Sequence, residues 1–286
     1  MKTLLNRSSS VALVLGLLIL ASSPALQAQD QDLRGFWAYV EGFLPLDLES
    51  SFTISSGDAE IGTSIDIEGE LDLDDAIDRA RFRGGFRFGR RHEIEVSYLS
   101  VARRNGKILA RNLQVGRFEF AAGFELQTQL KTEDVELGYN YYFLQRERGE
   151  MGFSLGVHTI LNEVTVDGTA FIAPTTGLPR AEFAAVESES VSIPLPYLGL
   201  HGKVELGRKF VFSGLVKVFE LSIQDYSGSW TSVEAMIEHH TFEHVGFGLG
   251  FFLSDLDVQA DLARGVVLAD FSQEQNGIAV FVRFNR

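Results

Sequence analysis

The sequence predicts an all-β chain closed into a transmembrane antiparallel up-and-down barrel of about ten strands, and three observations carry that prediction. Segments between Phe36 and Phe284 alternate polar and apolar side chains with period two, as strands with one greasy face do. The stretch Arg79 to Val101, RARFRGGFRFGRRHEIEVSYLSV, repeats the alternation on both sides of a short turn. Beyond the N-terminal segment no apolar run approaches the ~20 residues a helix needs to cross a bilayer. Spanning segments must then be strands of a closed barrel, which alone satisfies every backbone group in lipid.

The hairpin defines the two faces. Phe82, Phe86 and Phe88 share one side of its first half, and Arg79, Arg81, Arg83 and Arg87 the other; Ile94, Val96 and Tyr98 oppose Glu93, Glu95 and Ser97 in its second half. With Gly89, Arg90 and Arg91 as the loop, Phe86 falls opposite Ile94, Phe82 opposite Tyr98 and Arg87 opposite Glu93, so both faces match in one register. The apolar side faces lipid and the charged side an ion-paired or watery interior.

Composition narrows the class. Of 286 residues 45% are hydrophobic and 11% aromatic, which excludes a disordered chain. A net charge of -14 without a polybasic block excludes nucleic acid as the expected partner. The absence of cysteine excludes disulfides, thiolate metal sites and a cysteine nucleophile. At the N-terminus Lys2 and Arg7 precede the apolar run Val11 to Leu20, and small residues follow, which reads as a signal peptide over residues 1–28. Cleavage after Ala28 is preferred although Leu26 departs from the small-residue rule, and Ala25 is the alternative; residues 29–286 then form one barrel domain.

Taken in order, Phe36 to Ile54 is the first strand, with alternating Leu44, Leu46, Leu48, Phe52 and Ile54. Pro45 cannot donate to a ladder and predicts a bulge, or a strand starting just after it. Gly57 to Asp78 is too acidic for lipid and is expected as an external loop. The hairpin supplies strands two and three, and Arg103 to Glu125 is a second polar excursion. Strand four, Thr128 to Phe143, sets Val135, Leu137, Tyr139, Tyr141 and Phe143 outward and Asp134, Glu136, Gly138 and Asn140 inward. Strand five, Met151 to about Val166, sets Met151, Phe153, Leu155 and Val157 outward and Ser154, Gly156 and His158 inward, before a loop from Asp167 to about Ser188.

Strand six, Val191 to Leu206, sets Leu198, Leu200, Val204 and Leu206 against inward His201, Lys203 and Glu205. Strand seven, Lys209 to Gln224, alternates weakly; strand eight, Ser229 to Thr241, opposes Val233, Ala235 and Ile237 to Glu234, Met236 and Glu238. Strand nine, His244 to Gln259, alternates Val245, Phe247, Leu249, Phe251 and Leu253 with Gly246, Gly248, Gly250 and Phe252, and the last strand ends at Phe284. Connections near Gly89, Arg146, Gly207 and Phe242 are short, as periplasmic turns are, and those near 57–78, 104–125 and 167–188 are long, as external loops are. Eight or twelve strands fit the pattern too, and so does a soluble lipocalin-like barrel with its greasy face inward; the terminal aromatic and the aromatics near the short turns favour the membrane.

The segment GTSIDIEGELDLDD, the run FRFGRRHEIEVSYLSVARRNG and the closing strand to Phe284 resemble small Gram-negative outer-membrane barrels of the porin-like, OmpA-barrel-like group. The resemblance implies a cell outer-membrane location, an assembly signal at the terminal aromatic read by the barrel-assembly machinery, and contact with outer-membrane lipid and lipopolysaccharide. Here Asn285 and Arg286 extend past that aromatic.

The candidate site is the charged inner face: Arg81, Arg83, Arg87, Glu93, Glu95, Asp134 and Glu136, either a ring of charge that selects permeating ions or a set of pairs that fills a narrow lumen. Other patterns are weaker. Asp72 and Asp74 permit calcium without an EF-hand loop. Glu238 to His244, EHHTFEH, is dense in metal-capable side chains, but adjacent strand histidines point to opposite faces. Gly246, Gly248 and Gly250 lack the helix start of a nucleotide loop. Ser232, Glu234 and His240 share a strand face, yet eight strand residues put the ends ~26 Å apart. No enzymatic activity, cofactor or metal is therefore expected. The leading reading is a narrow porin-like channel for small solutes or ions; a closed structural or surface-binding barrel is the alternative, and a lipid-modifying enzyme stands third.

Overall fold

A strand that alternates polar and apolar residues places its apolar side chains on one face, and a ring of such strands turns that whole face outward or inward. Here it turns outward. The computed structural model describes residues 35–56, 62–66, 79–115, 118–120, 122–172, 182–223, 226–261 and 267–286. Residues 1–34, with the signal peptide and both cleavage positions, lie outside the described residues, as do Asp72 and Asp74.

The strands are β1 (Gly35–Ser56), β2 (Gly62–Asp66), β3 (Arg79–Phe88), β4 (His92–Ile108), β5 (Leu113–Val115), β6 (Phe118–Phe120), β7 (Glu125–Arg146), β8 (Gly149–Ile172), β9 (Glu182–Glu205), β10 (Phe210–Ile223), β11 (Tyr226–His240), β12 (Val245–Asp261) and β13 (Val267–Asn285). Ten of them, β1, β3, β4 and β7 to β13, pair antiparallel with their sequence neighbours in the ring, and β1 pairs with β13 to close it. The hairpin register is the one the side chains demand: Phe82 faces Tyr98, Phe86 faces Ile94 and Arg87 faces Glu93. Gly89 makes the turn at φ 65°, a left-handed conformation in which a Cβ is strained.

The expected bulge is present. The β1–β13 register shifts between Pro45 and Asp47, and the extra residue inverts the strand. Leu44 below it faces out, 52% exposed, whereas Leu48 above it faces in at 5%. The alternation of Leu44, Leu46 and Leu48 therefore does not mark one face.

Outward side chains form an apolar belt. It runs from Val245 to Leu253 on β12, Phe153 to Leu161 on β8 and Phe143 to Val135 on β7, matching the ~9–11 residues a tilted strand needs to cross a bilayer. Aromatics gather at its short-turn end, where Phe143 stacks on Phe153, Phe88 on His92, and Phe210 meets His239 edge-on. Above the belt the outward face becomes polar, as at Glu133, whose carboxylate pairs with Lys131 at 3.0 Å.

Three expectations need correction. β4 and β7 run on to Ile108 and from Glu125, so the excursion read over 103–125 is mostly strand; β8 runs to Ile172 and β9 starts at Glu182, so most of the loop read over 167–188 is strand too. Part of the acidic loop, β2, pairs with β1. The cause is common to all. β7, β8 and β9, with 22, 24 and 24 residues, outrun the belt, and a strand wall standing in water is polar on its outer face, which in sequence looks like a loop.

Leu249→Arg, in the belt, is expected to cost about 2–4 kcal/mol in urea unfolding from vesicles, and Thr231→Arg, above it, about 0–1. In the same assay Gly89→Val is expected to lose about 1–2 kcal/mol, with Gly89→Asn better tolerated.

Candidate functional site

All seven charged candidates have inward positions, and the structure binds them into a network that crosses the barrel. Near the short turns, Arg87 on β3 donates through Nη1 and Nη2 to the two carboxylate oxygens of Glu150 on β8, at 2.8 and 2.9 Å. Its guanidinium lies 3.9 Å from the centroid of the Tyr142 ring, and Lys203 on β9 reaches the same carboxylate at 2.8 Å. Glu93 accepts from Trp37 Nε1 (3.0 Å), Tyr142 Oη (3.1 Å) and Asn140 Nδ2 (3.0 Å). On the far wall Arg283 pairs with Glu238 at 3.1 Å.

One step higher, Arg81 and Arg83 share two carboxylates. Glu41 on β1 accepts from both at 2.5 Å, and Glu234 on β11 accepts from Arg81 at 2.8 Å and Arg83 at 3.1 Å. Glu95 lies 3.9 Å from Arg83 and accepts from Asn140 at 3.2 Å. Glu136 on β7 is paired with Lys217 on β10 and accepts from Tyr197 at 2.6 Å. Asp134 meets His158 Nε2 at 2.6 Å.

Arg87–Glu150, Arg81 and Arg83–Glu234, and Lys217–Glu136 join strands that are not neighbours. β4 and β7 separate β3 from β8; β1, β13 and β12 separate β3 from β11; β8 and β9 separate β7 from β10. Three sets of ion pairs thus span the lumen. Burial makes each partner necessary to the other, because a charge stripped of both water and counter-charge is costly, and a forked guanidinium is suited to holding two carboxylates at once. Glu41, at 1% exposure, is among the most buried side chains described.

Against this layer lies a cavity of about 90 Å³. Arg81, Asp134, Glu136, His158, Lys217 and Glu234 make its charged wall, and Phe43, Ile160, Trp230, Phe252 and Leu256 its apolar one. His158 packs its ring on Trp230 with centroids 4.3 Å apart, and its buried Nδ1 has no hydrogen-bond partner among the described residues.

The other candidates are not assembled. His239 contacts Thr241 and Phe210, while His240 lies beside Glu238, and the described residues hold no cluster of three metal-capable side chains. Glu234 is held by the arginines rather than aligned with Ser232 and His240. The serine–histidine contact that does form is Ser154 Oγ to His201 Nδ1 at 2.8 Å, and among the described residues His201 Nε2 has no hydrogen-bond partner, an acid included.

Sequence reading missed two carboxylates of the network, Glu41 and Glu150. Glu41 was hidden because the bulge breaks the phase of β1, and Glu150 because the charged run before it reads as a turn, although β8 starts at Gly149. Lys203, Glu234 and Glu238 were legible as inward residues; the partners of Glu234 lie across the ring, that of Glu238 lies two strands away, and Lys203 meets the overlooked Glu150 on the adjacent strand.

Comparison with solved structures places the fold among Gram-negative outer-membrane β-barrels. The outer membrane protease OmpT from Escherichia coli superposes with a TM-score of 0.57 at 10% identity, over 93% of this chain and 100% of that one. The Pseudomonas putida toluene transporter TodX (TM-score 0.33, 8% identity, 95% and 93% covered) and Neisserial surface protein A (0.29, 11%, 87% and 96%) align more loosely. No family model and no curated protein matches the sequence. The chain is an integral barrel of the outer-membrane type.

Glu234→Ala leaves two arginines short of a carboxylate and is expected to cost about 3–5 kcal/mol in urea unfolding from vesicles. Glu234→Gln, which keeps an acceptor oxygen, is expected to lose less.

Proposed function

We propose that this exported outer-membrane barrel is closed to through-flow at its ion-paired layer and acts through the strand wall and cavity on its outer side. The observation that carries this reading is that the pairs Arg87–Glu150, Arg81 and Arg83–Glu234, and Lys217–Glu136 each cross the lumen. In a ring of ten strands the interior is about wide enough for side chains to fill. The functional surface then falls to β7, β8 and β9, which extend well beyond the apolar belt.

A narrow channel is the second reading, and one observation favours it. Among the described residues the barrier consists of charged side chains on the wall strands, so rearranging them opens a path lined by fixed charge, the arrangement that selects ions. Outer-membrane lipid and lipopolysaccharide are the expected surroundings in either case, and cleavage within the N-terminal segment the expected processing.

Single-channel recording of the folded protein in a planar bilayer separates the two. A closed barrel gives no steps from the unaltered protein. Steps from the unaltered protein, with selectivity reversed by Arg83→Glu, would establish the channel instead.

A further inference from the structure

We infer that the seam between β9 and β10 is a lateral gate through which one acyl chain of an outer-leaflet lipid reaches the lumenal cavity. The ladder between these strands ends early. Val211 to Val218 pair with Glu205 to Leu198, and among the described residues no pair forms between the two strands above Leu198, although the backbone of both continues as strand. Continuing the register would set Pro196 opposite Glu220 and Pro194 opposite Ser222. Instead β9 stays with β8 up to Glu182, and β10 stays with β11 up to Ile223.

The position of this gap is unusual. Pro194, Pro196 and Leu198 lie on the exposed face, Leu198 at 64% exposure, and pair across β8 with Thr159, Val157 and Leu155, inside the apolar belt. Unpaired backbone donors in lipid are expensive. The two prolines have no N–H to leave unpaired, which removes two donors on the β9 side and lowers the cost of an open wall at a level where a ladder would otherwise be required.

What closes the seam is side-chain packing. Leu195 and Tyr197 of β9 turn inward and pack with Ile160, Trp230 and Leu256, with Phe219 of β10 against the same cluster. The Tyr197 and Trp230 rings meet edge-on with centroids 5.9 Å apart. Ile160, Trp230 and Leu256 also line the cavity. The cluster that fills the seam therefore shares three side chains with the cavity wall, and its displacement joins the belt to the cavity. Within the belt the molecules available to it are lipid tails; the polar rim at Ser192 and Glu220 leaves the headgroup outside. This step is independent of through-flow, so conductance and lipid access are tested separately.

The test is fluorescence quenching in dioleoyl-phosphatidylcholine vesicles against vesicles of the same lipid brominated on its acyl chains. Tryptophans are at positions 37 and 230, so the difference between the full chain and Trp230→Phe isolates Trp230. Bromine is expected to quench Trp230, and the quenching to be lost when Pro196→Cys and Glu220→Cys are oxidised to a disulfide across the seam; the chain has no cysteine to interfere. Should that pair distort the barrel, Pro194→Thr/Pro196→Val, which returns two ladder donors, is expected to give the same loss. Trp230 unquenched by brominated lipid, quenching that survives both closures, or quenching by dibromostearate added from water but not by brominated lipid would overturn the gate.

Discussion

Water is absent from the hydrocarbon of a bilayer, and every backbone N–H and C=O crossing it must find its partner within the protein. The ring closure between β1 and β13 meets that demand at the edges of the sheet, and the one departure within the belt lies between β9 and β10 above Leu198. Once the ring closes, alternation does the rest: one face meets lipid and the other is enclosed, whatever its chemistry. Charged residues that would be solvated on an open sheet are packed here into a narrow lumen.

Enclosure explains the pairing. Arg81 and Arg83 sit between Glu41 and Glu234 because four charges on one level can be held only in mutual contact. The ties to Glu234 brace the ring from within, joining β3 to β11, which share no ladder. The apolar cluster around Trp230 has a different character, since it is held mainly by dispersion and by exclusion from water, with directional bonds only at its edge, from Tyr197 to Glu136 and from Trp230 to Ser254. The barrel thus combines a stiff charged layer with a softer apolar one, and its wall is incomplete beside the softer layer.

Proline acts twice, with different results. Pro45 sits at a bulge that rotates β1 by one position and brings Leu48 inside. Pro194 and Pro196 sit where β9 has lost one neighbour. In both places the missing N–H is tolerated because the local ladder is irregular or absent.

Much of the fold was legible because strand alternation is a local property. The faces of the Arg79 to Val101 hairpin, its register and its turn at Gly89 follow from residues within a few positions of one another. The inward direction of Arg81, Arg83, Arg87, Glu93, Glu95, Asp134 and Glu136 follows from the same alternation. The height of the wall above the membrane was not legible, because strand polar on its water-facing side has the composition of a loop. By itself the sequence determined that strands cross, which way their charges face and that apolar side chains meet lipid. Only the tertiary structure decided that Arg87 meets Glu150, that Arg83 meets Glu234 and that β9 parts from β10 above Leu198, since each depends on how strands far apart in sequence are placed around a closed ring.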